Sequence, residues 1–255
     1  MMDIKNVSKR YGKDLVVNDV TLPIEKGRLT ACIGPNGAGK STLIEMISRL
    51  LPQDEGFIYI DDEEIKNWKK GDFAKRLSIL KQTNQLNVRL TVYELVSFGR
   101  FPYGKGRLSD YCYEVINDSL NYLGLTSLKE RYIDTLSGGQ LQRALIAMVL
   151  CQDTEYILLD EPLNNLDMSY GVQMMQTLRR LVDELGKTII TVVHDINFAA
   201  SYADNIIAMK NGELFAAGTV DYMIKKPILD DLYDMDVTII ENQGTKFCLY
   251  YKSQK

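Results

Sequence analysis

Two stretches of this chain join glycine, a hydroxyl side chain and the start of an apolar helix pattern, a combination suited to holding anions. Residues 34 to 42 read GPNGAGKST and residues 136 to 143 read LSGGQLQR. In the first, Gly37 and Gly39 let the main chain curl so that N–H groups face a phosphate, and the following helix start adds the positive end of its dipole. Lys40 reaches toward the β- and γ-phosphates of a nucleoside triphosphate and the Ser41 hydroxyl is placed to bind Mg²⁺. Gly34, Pro35, Asn36, Ala38 and Thr42 complete the G-x-x-x-x-G-K-[ST] pattern. In the second stretch Ser137 and Gln140 stand at S-x-x-Q spacing, a capping box in which each side chain satisfies an N–H of the helix start. Gly138 and Gly139 open that same start to an anion, yet no lysine follows.

Further candidates stand where apolar runs end. YILLDEP, residues 156 to 162, carries two adjacent carboxylates out of a buried strand. Asp160 is suited to hold Mg²⁺ through its water shell, and Glu161 to orient or deprotonate an attacking water. His194, the single histidine, follows TIITVV directly; an imidazole N–H there would be aimed at a γ-phosphate. Gln82 leaves another apolar run, RLSIL, as a polar group that would touch Mg²⁺ or water. Tyr11 is an aromatic ahead of the nucleotide motif, able to stack on adenine.

The elements that must position these residues are legible as changes of hydrophobic period. Residues 2 to 7, 15 to 24 and 57 to 61 read as short strands. RLTACIG, 28 to 34, reads as a buried strand, and KSTLIEMISRLL after it as a helix with Leu43, Ile47 and Leu50 on one face, stopped by Pro52. From about Leu90 to Cys151 the pattern is helical, with capping boxes expected at Thr91 with Glu94 and at Ser127 with Glu130. A strand at 156 to 160, a helix from Met168 to Leu185 closed by Gly186, and a strand at 188 to 193 form a βαβ unit, which demands parallel strands. Ligands in such α/β sheets sit at the carboxyl ends of the strands, where Asp160 and His194 are both expected. Asn211-Gly212 marks a hairpin. The tail from Val220 is expected to hold two short helices and a last hairpin near Gly244.

Composition narrows the function classes. The 255 residues carry 30 Lys and Arg against 34 Asp and Glu, a net charge of −4, which is not the electrostatic footprint of a nucleic-acid binder. The basic run from Lys66 to Lys81 is then a solvated face. Cys32, Cys112, Cys151 and Cys248 show no C-x-x-C spacing and read as reduced core thiols, with no zinc or redox role. No signal-peptide pattern opens the chain, and its longest apolar run, Ala144 to Cys151, falls far short of a membrane span. Any membrane role is therefore expected through a partner.

Taken in order, GPNGAGKST, Gln82, LSGGQ, YILLDEP, LNNLD and His194 resemble the ATPase subunit of ATP-binding cassette transporters over essentially the whole chain. The resemblance implies an α/β, P-loop nucleoside triphosphatase (RecA-like) core with a parallel sheet, an N-terminal antiparallel β subdomain and an inserted helical subdomain. It implies one ATP-binding domain over 1–255, with the helical lobe at about 88–150 and a short C-terminal extension at about 220–255. It also implies a head-to-tail homodimer formed on ATP binding, each ATP lying between the phosphate loop of one subunit and Leu136, Ser137, Gly138, Gly139 and Gln140 of the other. Tyr11 then corresponds to the adenine-stacking aromatic. Gln82 is the residue linking Mg²⁺ to the transmembrane partner, and Asp167 the aspartate crossing between subunits. Leu163 departs from the Thr or Ser common after the DEP proline, a position outside the phosphate contacts.

A narrower resemblance, carried by LTVYELVSFGRFPYGKGRLS at 90 to 109 and DEPLNNLDM at 160 to 168, is to the ATPases of bacterial iron-siderophore importers of the petrobactin and catecholate type. Haem and vitamin B12 importers share part of that pattern and stay in view. This resemblance implies a peripheral subunit at the cytoplasmic face of the membrane. Its partners are permease subunits and, indirectly, an extracellular or periplasmic binding protein. Phe98, Arg100, Phe101, Tyr103 and Arg107 suit a partner-docking groove; the acidic whole argues against reading them as an RNA patch. A GTPase switch would want N-K-x-D, which is missing. A cassette of translation or DNA repair would more often carry two cassettes or a long coiled-coil insertion, and the chain has neither.

Overall fold

Apolar residues recur at every second position in the N-terminal stretch, as in Val20, Leu22 and Ile24, and a chain with that period buries one face of a strand. In the computed structural model, which describes residues 1–81, 88–104, 107–164 and 166–250, the stretch folds as β1 (Met2–Tyr11) and β2 (Asp14–Ile24), paired antiparallel. The following elements are β3 (Leu29–Ile33), α1 (Lys40–Ile47), β4 (Glu55–Ile60), β5 (Glu63–Glu64), α2 (Lys70–Phe73), β6 (Leu77–Leu80), α3 (Val92–Ser97), α4 (Phe101–Gly104), α5 (Asp110–Tyr122) and α6 (Gly138–Cys151). Then come β7 (Tyr156–Asp160), α7 (Met168–Leu185), β8 (Thr188–Val192), α8 (Ile196–Tyr202), β9 (Asn205–Lys210), β10 (Glu213–Thr219), α9 (Val220–Met223), α10 (Lys226–Tyr233), β11 (Thr238–Asn242) and β12 (Thr245–Leu249). The chain divides into two units, Met1–Asn67 with Leu178–Lys255, and Trp68–Thr177.

The first unit holds an antiparallel sheet in the order β2-β1-β4-β5. Its second sheet region runs β10-β9-β3-β8, with β3 parallel to both β9 and β8. Every residue of β3 and β8 is buried, the mark of strands covered on both faces. The β9–β10 hairpin turns at Asn211 and Gly212, both at positive φ, as a two-residue turn requires. Asp204 joins α7 to β3: its Oδ2 accepts from the Leu29 N–H at 2.8 Å and from Arg179 Nη1 at 2.9 Å. The two short helices and the hairpin expected in the tail are α9, α10 and β11–β12, the last turning at Gln243 and Gly244.

In the second unit β6 pairs parallel with β7, and the helices gather around α6. That helix buries Ala144, Leu145, Ile146, Ala147, Val149, Leu150 and Cys151, so apolar groups cover it nearly all round. A Cβ on Gly99 would stand 2.3 Å from the Met148 carbonyl oxygen, which is why glycine stands where the 98–100 turn meets α6. Beside it Arg100 is 1% exposed, donates to the Cys151 carbonyl at 2.9 Å and lies 3.7 Å from the Tyr103 ring. All four cysteines are buried thiols outside any disulfide. Among the described residues no helix is long and apolar enough to cross a membrane.

Two local expectations are corrected. The helix after the phosphate loop ends at Ile47 rather than running to Pro52, because Arg49 turns left-handed at φ 60°. Arg49 N–H then bonds the Met46 carbonyl and Leu50 N–H the Glu45 carbonyl, the paired bonds of a Schellman stop, and Leu50 is exposed. No α-helix starts at Ser127 with Glu130. Residues Thr126–Leu128 make one 3₁₀ turn, and the strap after it gives its Lys129 and Arg131 carbonyls to the N–H groups of Tyr93 and Val92. The capping box at Thr91 and Glu94 is present.

Because Asp204 serves a main-chain donor and an arginine at once, Asp204→Ala is expected to cost about 2 kcal/mol in urea denaturation. Asp204→Asn, which still accepts from Leu29, should cost roughly half as much.

Candidate nucleotide site

The phosphate loop is built by a strand with no exposed residue feeding a helix that has no side-chain cap. Gly39 is the N-cap of α1 at φ 93° and provides no side-chain cap. Main-chain N–H groups there keep their polarity for a ligand. At Gly34 and Gly39 close packing adds to the positive φ that already favours glycine, whereas Gly37 is set by its φ of 78° alone. A Cβ on Gly34 would lie 2.0 Å from the Met209 carbonyl oxygen, and one on Gly39 2.7 Å from that of Val16. Lys40 is 5% exposed. Its Nζ donates to the carbonyls of Gly34 and Pro35, each at 2.8 Å, so the ammonium lies across the curl of the loop. Asn36 and Gly37 are exposed, Ala38 is buried, and Ser41 and Thr42 are half-buried at the helix start. Tyr11 stands exposed at the β1–β2 turn.

His194 belongs to the same unit. It is exposed, the first residue after a buried Val193, and the next residue, Asp195, caps α8 by accepting from the Asn197 N–H at 2.8 Å.

In the second unit β7 carries Asp160 to its end, where the side chain is 4% exposed. Glu161 then turns at φ 54°, a left-handed conformation that L-residues seldom adopt. Asn164 holds it there, bonding the Glu161 carboxylate with its side chain and the Glu161 carbonyl with its N–H. The signature stretch keeps its capping box: Ser137 Oγ accepts from Gln140 N–H at 3.3 Å, and Gln140 Oε1 from Ser137 N–H at 3.0 Å. Leu136 is half-buried ahead of it, and Ser137 and Gly138 are exposed while Gly139 is buried. Asp167 caps α7, its Oδ1 accepting from Tyr170 N–H at 3.0 Å. Gln82 lies outside the described residues.

Three residues to which the sequence assigned no role complete this second group. Gln142 Nε2 donates to the Pro162 carbonyl at 2.8 Å, tying the signature helix to the loop that holds Glu161. The Tyr170 ring fills the place of a Gly139 side chain, with a built Cβ 2.4 Å from its Cδ1. Asn164 is the third. LSGGQLQR and LNNLD contain or adjoin all three, but only spatial proximity reveals their roles.

Gly139→Ala should therefore lower both stability and nucleotide-dependent activity, by roughly 1–3 kcal/mol in the former. The Gly139→Ala, Tyr170→Ala double variant should recover part of the stability loss, read as a coupling energy in a double-mutant cycle.

Residues 17–164 match the family described as ABC transporter. The petrobactin import ATP-binding protein YclP of Bacillus subtilis (strain 168) is 53% identical over 245 residues, spanning 95% of this chain and 97% of its own. The petrobactin import ATP-binding protein FatE of Bacillus anthracis is 50% identical over 250 residues, 98% and 100% of the two chains. Among solved structures, the dimeric structure of MJ0796, a bacterial ABC transporter cassette, aligns with a TM-score of 0.76 at 32% identity, over 86% of this chain and 99% of that one. A match of this extent, on an α/β chain with parallel strands and a phosphate loop, shows the P-loop nucleoside triphosphatase fold. This chain belongs to the ABC transporter family, as an ATP-binding subunit that hydrolyses ATP.

Proposed function

We propose that this protein drives import of an iron-siderophore complex of the petrobactin or catecholate type through a membrane permease, working as a homodimer at the cytoplasmic membrane face. The observation that carries the reading is the pair of unlike helix starts. One, at α1, has a buried lysine and no side-chain cap; the other, at α6, has an exposed serine and glycine and no cation. Each supplies what the other lacks, so two copies placed head to tail complete two sites. The dimeric structure of MJ0796 supports an assembly of two copies, and the names of YclP and FatE support the cargo. A haem, vitamin B12 or other metal-chelate importer is the alternative. An external binding protein would deliver the cargo to the permease.

In this reading the chain is one ATP-binding domain, with a helical lobe at 88–150 and a C-terminal extension at 220–255. Gly34 to Thr42 cradle the phosphates and Tyr11 stacks on adenine. Ser137 to Gln140, with Leu136, meet the γ-phosphate bound by the partner, and Asp167 lies at the subunit contact. Ser41 and Asp160 offer the hard oxygen donors that Mg²⁺ takes, with Gln82 as a third. When bound, the ion neutralises charge on the β- and γ-phosphate oxygens. Glu161, held by Asn164, orients and deprotonates the attacking water; Lys40 and His194 stabilise charge on the transferred group, so catalysis is by positioning and electrostatics.

Glu161→Gln is expected to bind ATP and form the dimer while turnover falls by about 10²-fold or more; near-normal turnover overturns the assignment of the base. Ser137→Arg should abolish dimer-dependent hydrolysis and leave ATP binding by the monomer intact, and surviving hydrolysis would refute the role across subunits. Uptake of labelled iron with a panel of siderophores, in cells with and without this protein, tests the cargo: loss confined to catecholate or petrobactin-type ligands is the expected pattern.

A further inference from the structure

His194 stands between two anchored neighbours. On one side Val193 N–H bonds the Cys32 carbonyl at 3.2 Å, fixing the chain to β3. On the other, Asp195 caps α8, so the direction in which His194 leaves the main chain depends on how α8 is seated. A seven-residue helix is too short to hold itself by its own hydrogen bonds. Its seat comes from packing of Ile196 and Ala199 and from the C-terminal hairpin.

The connection to the hairpin is specific. Asn197 Nδ2 donates to the Cys248 carbonyl at 3.2 Å, and its Oδ1 accepts from the Cys248 N–H at 2.7 Å. The amide thus replaces a neighbouring strand at the edge of β12. Two residues on, the Tyr250 hydroxyl donates to Asp195 Oδ1 at 3.4 Å. The Cys248 thiol is pushed up to about 11 by burial and by the charge of Asp195, which shows how near β12 lies to the cap of α8. Burial likewise lifts the Tyr233 phenol of α10 far above its ordinary range. The bonds made by Asn197 and Tyr250 therefore join the extension to the turn that carries His194. An isolated two-stranded hairpin is marginal by itself, so the bonds at Asn197 order both partners.

We infer that the β11–β12 hairpin is a positioning element for His194, acting through the amide of Asn197, and that Asn197 is a positioning residue of the hydrolytic site. The inference rests on the proposed contact of His194 with the γ-phosphate. Without the hairpin bonds α8 would be free to shift, and the turn that carries His194 would shift with it. Binding of the adenine and of the α- and β-phosphates uses other residues and would not change.

The test compares Asn197→Leu, which removes both bonds at similar volume, with Asn197→Asp, which keeps the acceptor and places an acidic group in the first turn, where a helix tolerates it. Three readouts are needed: kcat and KM for ATP hydrolysis, ADP affinity, and hydrogen exchange of the Cys248 amide. The expected result for Asn197→Leu is faster exchange at Cys248, ADP affinity and KM within about twofold of the unaltered protein, and kcat lower by about tenfold, as a small displacement of a catalytic group produces. Asn197→Asp should fall between the two. Unaltered kcat with accelerated exchange at Cys248 overturns the inference, as does a matched loss of ADP affinity and kcat, which marks a purely structural role. If Asn197→Leu does not fold, Asn197→Asp decides by the same criteria. A His194→Ala control separates the levels: normal turnover in it refutes the histidine assignment and the inference with it. Collapsed turnover in His194→Ala with normal turnover in both Asn197 variants refutes the inference alone.

Discussion

The N–H groups at the start of α1 need acceptors, and the N-cap residue of that helix, a glycine, has no side chain to supply one. Gly39 gives no cap, and the loop can curl only if main chain packs directly on Gly34 and Gly39. Met209 of β9 and Val16 of β2 provide that packing. The two suppliers are themselves joined: Asn18 N–H bonds the Gly212 carbonyl at 2.8 Å, and a Cβ on Gly212 would stand 2.7 Å from the Val16 carbonyl oxygen. The antiparallel N-terminal sheet and the β9–β10 hairpin thus act as the floor of a polar cradle. Lys40, bonded to the carbonyls of Gly34 and Pro35, keeps the loop ordered and its ammonium in place.

The second unit solves the same problem differently. The start of α6 is capped by Ser137 and Gln140 and remains exposed. A capping box satisfies specific N–H groups and leaves the dipole of the helix in place, so a capped start still attracts an anion. The body of α6 is immobilised along its length. Gln142 ties it to Pro162, Tyr170 presses on Gly139, Gly99 sits against Met148, and Arg100 and Tyr103 take the carbonyls of Cys151 and Gln152. Arg100 is costly to bury, since its Nε and Nη2 find no hydrogen-bond partner among the described residues. The face of the Tyr103 ring offsets part of that cost. The segment read as a docking groove and the signature stretch are thereby attached to opposite ends of one rigid helix.

Residues whose roles depend on near neighbours in sequence were legible from the chain alone. Gly34 to Thr42, the capping boxes at Thr91 and Ser137, the strand ending in Asp160 and the turn at Asn211 and Gly212 all depend on spacings of a few residues. Roles set by distant partners were not. Nothing local shows that Arg49 will turn left-handed, or that the strap at 129–133 will give its carbonyls to Val92 and Tyr93 instead of opening a helix at Ser127. Asn164, Gln142, Tyr170 and Asn197 were given no role by the sequence, and each bonds or packs against a segment that its local spacing does not reveal.

The proposed chemistry is read from the chain alone: which side chains are candidates to meet phosphate, metal and water, and on which kinds of helix start and strand end they stand. That information resides in short periods, because capping, helix polarity and strand alternation are properties of neighbouring residues. How those groups are held was left to the packed fold. Glycine is required at 34, 39, 99 and 139 because of atoms far away in sequence. Glu161 keeps its unfavourable φ through Asn164, and α8, which follows His194, is bonded through Asn197 to Cys248, 51 residues on. Close packing fixes such contacts, and it exists only once the chain has folded.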